Sequence, residues 1–119
     1  MKLMKWIAAI VALGLLTAFA YMPQDPLRVG PGIYNLKLDN DRVRVFVVKF
    51  APGQAIDVHA HPDHVVYAVK GGRLMIHEVG KEPMTMDVAT GATLFLPAQS
   101  HLAKNMGKTA MKLVVIELK

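Results

Sequence analysis

No cysteine occurs anywhere in the 119 residues. That absence excludes disulfides and removes thiolate from the possible metal ligands. Histidine, aspartate, glutamate and the softer methionine remain. A block of like charge is missing as well. The net charge is +5, carried by 14 basic and 9 acidic residues scattered through the chain. A nucleic-acid face would concentrate them, so this distribution reads as a solvated surface, with no nucleic-acid partner. After Ala20 no stretch sustains a 3.6-residue apolar period, which argues against a helical domain. Internal repeats and low-complexity segments are also absent.

The first residues have a different character. "MKLMKWIAAIVALGLLTAFAYM" opens with Lys2 and Lys5 and continues as an uncharged apolar run from Trp6 to Ala20. Ala18-Phe19-Ala20 supplies the small-x-small pattern of a signal-peptidase site. Residues 1–20 are therefore expected to be a signal peptide cut before Tyr21, with export to the periplasm or beyond. The competing reading is an uncleaved membrane anchor, although the run is short of the roughly 20 residues that span a bilayer. Residues 21–32 hold three prolines and two glycines and read as an irregular lead-in. Residues 33–119 are then the folded domain, large enough for one small core.

Within that domain short apolar runs are bounded by turn residues at intervals of roughly ten, as in sandwiches and small barrels. "RVRVFVVKF" alternates at its start, placing Val43, Val45 and Val47 on one face. "KLVVIEL" is apolar on both faces, so it is expected to be covered on both sides or to meet a second subunit. The predicted fold class is all-β, a sandwich or small barrel.

Three of the five histidines fall in "DVHAHPDHVVYAVKGG", residues 57–72. His59 and His61 are two apart on a predicted strand, so they share a face. Pro62 and Asp63 turn the chain, and His64 opens the returning strand beside the first pair. In the second half, "GATLFLPAQSHLAKN" places His101 after a proline-led turn. His77 matches no such pattern and reads as an ordinary strand histidine. Met84 and Met86 form a Met-x-Met pair that suits Cu(I), but same-face packing accounts for them equally well. Asp57, two residues before His59, is expected to share the histidine face, at the rim or behind an imidazole.

These features resemble a small single-domain cupin. Gly53, five residues, His59-Ala60-His61 and the hairpin glycine Gly71 follow the family's first motif. His64 stands where the family usually has glutamate, with the turn one residue short. Gly91, Pro97, His101 and Asn105 follow the second motif, with Gln99 replacing a glycine and one residue fewer before His101. The resemblance spans residues 42–118. It implies a jelly-roll barrel with His59, His61, His64 and His101 facing inward around one divalent metal, in a four-histidine variant. It also implies a reasonable homodimer. Imidazoles suit Mn, Fe, Cu, Ni and Zn without separating them. Four of them around an octahedral ion leave two positions for substrate or dioxygen. Val66 and Ala68, on the His64 face, are apolar, and no acid–base partner stands out. A metal-dependent oxygenase of a small organic substrate is therefore one expectation. A non-catalytic exported metal- or small-ligand-binding protein is the other.

Overall fold

Nine strands carry most of the described residues. They are β1 (Tyr34–Asp39), β2 (Val43–Phe50), β3 (Ala55–His61), β4 (His64–Lys70), β5 (Gly72–Glu78), β6 (Met84–Val88), β7 (Thr93–Leu96), β8 (Gln99–Asn105) and β9 (Met111–Leu118). The structure is a computed structural model that describes residues 24–119. The expected leader and its cleavage point lie outside those residues. A single helical turn, α1 (Pro26–Val29), stands inside the stretch read as irregular; Pro26 opens it and the Asp25 carboxylate caps the Leu27 N–H at 2.8 Å. Among the described residues no helix is long and apolar enough to cross a membrane.

The strands form two antiparallel sheets, ordered β1-β2-β9-β4-β7 and β3-β8-β5-β6. All successive strands except β1–β2 and β5–β6 cross from one sheet to the other, so the two sheets share one interior. Phe46, Val48 and Phe50 point into it from β2, and Leu113 and Val115 from β9. Val66 and Ala68 on β4, and Leu74 and Ala103 from the opposite sheet, complete the packing. Full burial of one such aliphatic or aromatic side chain stabilises the fold by about 1.5–3 kcal/mol. Val43, Val45 and Val47 share a face as the alternation predicts, and that face is the half-buried outer one. β9 pairs β2 on one side and β4 on the other, so it is the central strand of its sheet. Its inner residues are buried, while Val114 and Ile116 lie half-buried outside.

The motif glycines have local reasons. Gly53 and Gly91 sit at φ 75° and 87°, a left-handed conformation that glycine adopts without steric cost. Gly71 lies so close to β6 that a Cβ there would meet the Val88 carbonyl oxygen at 1.9 Å.

Candidate metal centre

β3 and β8 pair with His59 directly opposite His101 and His61 opposite Gln99. The register slips between Ile56 and His59. That bulge breaks the simple alternation, so Asp57 is exposed instead of sharing the histidine face. Its carboxylate accepts from the Val58 N–H, and only its main-chain carbonyl reaches His59. The Pro62–Asp63 turn is held from two directions: Asp63 Oδ1 accepts the Ala98 N–H at 2.8 Å and its carbonyl accepts the Leu118 N–H at 2.9 Å. So fixed, the turn carries the chain from one sheet to the other and delivers His64 at the start of β4.

All four histidines are buried, with exposures of 0%, 4%, 1% and 3% for His59, His61, His64 and His101. One ring nitrogen from each of His59, His61 and His101 lies within 4.8 Å of the other two. The ring centroids of this triad are 4.7–5.2 Å apart. His64 stacks on His61 at 4.5 Å but lies 6.5 Å from His101, and it does not join the triad at that nitrogen spacing. His77 is exposed and faces Leu102 across the pairing of β5 and β8. Met84 and Met86 lie on β6, an edge strand. Both line the interior cavity.

The ring tautomers follow from their partners. His59 Nδ1 contacts the Asp57 carbonyl, His64 Nδ1 the Pro62 carbonyl and His101 Nδ1 the Gln99 Oε1, each at 2.8 Å. Those oxygens only accept, so each Nδ1 carries the proton and each Nε2 keeps a lone pair. His61 Nδ1 donates to Glu117 Oε2 at 2.6 Å, and the Tyr34 hydroxyl donates to His61 Nε2 at 3.2 Å. Among the described residues, His59 Nε2 is buried with no hydrogen-bond partner. An orphaned buried acceptor costs about 1–3 kcal/mol unless something satisfies it. A cation is what neutral imidazole lone pairs at this spacing satisfy well.

The electrostatics suit that use. Burial lowers the His59 pKa to about 4; burial, reinforced by the neighbouring rings, lowers that of His101 to about 3. His64 shifts the same way, again mainly through burial. These rings are therefore neutral at pH 7 and have no proton to displace. Burial pushes the Glu117 carboxyl up, yet hydrogen bonds from His61 and Arg44 outweigh it and hold the pKa below the ordinary value. Glu117 faces inward from β9 and is only 2% exposed. Burial, with the Glu117 charge, raises the Tyr34 phenol pKa and keeps it protonated.

A cavity of about 420 Å³ opens from the rings between the two sheets. Its walls are mostly aliphatic, from residues such as Val66, Leu74, Leu96 and Val115. Glu78, Lys81 and Glu82 also line it, and Lys81 Nζ pairs with Glu78 at 3.1 Å.

The family model described as "Cupin domain" matches residues 46–117. The chain belongs to the cupin family. A cupin domain from Bordetella pertussis Tohama I is 30% identical to this cupin, covering 73% of this chain and 92% of its own, with a TM-score of 0.68. A Klebsiella pneumoniae protein with a double-stranded β-helix domain is 24% identical, with 72% and 75% covered and a TM-score of 0.60. A cupin superfamily protein from Desulfitobacterium hafniense is 22% identical over 71% and 74% of the two chains, TM-score 0.56. The last two share the fold. No curated protein matches this cupin.

The structure thus brings His59, His61 and His101 together and buries His64 beside them. Tyr34, Arg44 and Glu117 were not singled out from the sequence. For Glu117 a signal was present: it is an acid in an apolar strand, at the same parity as Met111, Leu113 and Val115.

Proposed function

We propose that this cupin holds one divalent transition metal through His59, His61 and His101, with His64 as a fourth imidazole, and oxygenates a small apolar organic molecule in the cavity. The observation that carries the metal reading is the unpartnered Nε2 of His59, buried among rings whose Nδ1 atoms are already committed as donors. Bound there, a metal such as Mn or Fe(II) supplies open coordination positions and redox chemistry toward dioxygen. The chain's own residues do the rest. The acceptors behind each Nδ1 fix ring orientation, and the aliphatic walls exclude water and select an apolar body. The Tyr34 phenol keeps its proton; with His61 Nε2 given to a metal, it loses its hydrogen bond to that nitrogen and is left a donor beside the rings. Oxygen chemistry fits the mostly aliphatic cavity better than hydrolysis.

Metal analysis of the native protein, followed by oxygen uptake with small phenolic, diketone and thiol compounds, tests this reading. Stoichiometric metal with turnover supports it, and a protein that takes up no metal at the histidines overturns it. Stoichiometric metal with ligand binding and no turnover identifies the second reading, a non-catalytic binding protein, which is favoured by the scarcity of polar groups in the cavity.

Two further expectations belong to the same proposal. The outer face of the five-stranded sheet presents Val45, Val47, Val65, Val114 and Ile116 half-buried, with Tyr67 and Phe95 exposed. This supports pairing with a second copy; a monomeric mass in sedimentation equilibrium at micromolar concentration argues against it. The charge-free run after Lys5 supports export, and a mature N-terminus at Tyr21, read by mass spectrometry, distinguishes cleavage from an anchor.

A further inference from the structure

Behind His61 runs a line of charge that leaves the site altogether. His61 Nδ1 donates to Glu117 Oε2 at 2.6 Å. The other oxygen, Oε1, accepts from Arg44 Nε at 2.9 Å, and Arg44 Nη1 donates to Asp25 Oδ2 at 2.7 Å. Asp25 uses its remaining oxygen to cap α1. Next to it, the Gln24 carbonyl accepts the N–H of Ala60 at 2.8 Å, and Ala60 is the residue between His59 and His61. The proline-rich lead-in thus grips the His-x-His strand twice, once through the main chain and once through a relay of side chains. Arg44, Glu117 and His64 are also cross-strand neighbours on β2, β9 and β4, so the relay crosses the centre of one sheet.

We propose that Glu117 is the positioning residue of the metal centre, and that Arg44 and Asp25 extend its hold to the lead-in, making residues 24–25 a strap that sets metal affinity. The inference rests on the metal reading above. A carboxylate accepting Nδ1–H fixes the ring plane and makes Nε2 a better donor to a cation. Glu117 does this only while its two oxygens are held apart on two partners. Arg44, with its planar fork, supplies the second partner and stacks over the Phe46 ring at 4.7 Å. Removing Asp25 frees one end of that fork.

Cobalt(II) titration of the full chain against a competing chelator, with its visible absorption spectrum, tests the strap. Glu117→Gln should weaken cobalt binding by about 10–100-fold and shift the absorption band. Asp25→Asn retains a good helix cap but loses the charge facing Arg44, and should weaken binding by a smaller factor. Combined with Arg44→Met it should add little, because both changes break one relay. Asp25 is 41% exposed, so its variant carries the test if Glu117→Gln does not fold. A merely structural role would lower the melting point of the metal-free variants and leave cobalt affinity and spectrum unchanged; that result overturns the proposal. A wild-type protein that binds no cobalt overturns the metal reading and the strap together, whereas normal wild-type binding with unaltered variants overturns the strap alone.

Discussion

Lowering the pH from 7 to 5 should destabilise the metal-free protein by about 3–4 kcal/mol. His59 and His101 have pKa values of about 4 and about 3 in the folded protein, against 6.5 when unperturbed. Both rings stay neutral in the folded state throughout this window, while in the unfolded chain they take up protons as pH drops below 6.5. The unfolded state therefore binds more protons, and stability rises with pH. The neutral-ring stability is complete above the unfolded pKa and drains away as pH falls toward the folded values. Integrating over two pH units gives about 1.8 kcal/mol for each ring. Exposures of 0% and 3% leave little solvent screening to reduce that figure. His64 shifts in the same direction and adds to the loss. Glu117, held low, contributes stability that is lost only as pH falls through the carboxylate range, below this window. A domain of this size has about 5–15 kcal/mol in total, so the loss is large. Urea unfolding of chelator-treated protein, followed by circular dichroism at the two pH values, measures it. Equal stability at pH 5 and 7, or greater stability at pH 5, refutes the reasoning that these rings are buried and neutral.

His101→Ala should abolish stoichiometric metal binding, whereas His64→Ala, outside the triad spacing, should weaken it only moderately; elemental analysis after dialysis separates the two. Phe46→Ala, at a fully buried position of β2, should cost about 3–5 kcal/mol in chemical unfolding. Gly71→Ala must displace the Val88 carbonyl from a 1.9 Å contact, and a variant with unchanged unfolding midpoint would refute that packing account.

Much of the fold was legible because the strands obey simple rules. Turn residues bound each run, and Gly53, Gly71 and Gly91 are glycines for steric reasons that leave a trace in spacing. The inward placement of His59, His61 and His101 was also legible, from same-face spacing and from family resemblance. Asp57 was misplaced because a bulge changes side-chain parity without any residue that announces it. Tyr34, Arg44 and Glu117 were hidden for another reason. They lie on β1, β2 and β9, and Arg44 and Glu117 are 73 residues apart in sequence. Only sheet order brings them together, and local periodicity does not encode sheet order. The helical turn at Pro26–Val29 escaped because four residues carry no period to detect.

The triad comes from β3 and β8 of one sheet, while Glu117, which aligns His61, arrives on β9 of the other. During synthesis the imidazoles of positions 59, 61 and 64 emerge well before that of position 101, and the carboxylate of position 117 follows all four. The four imidazoles and the carboxylate that contacts His61 are therefore brought together only once β9 has inserted between β2 and β4, and a cation met earlier would find the rings loose.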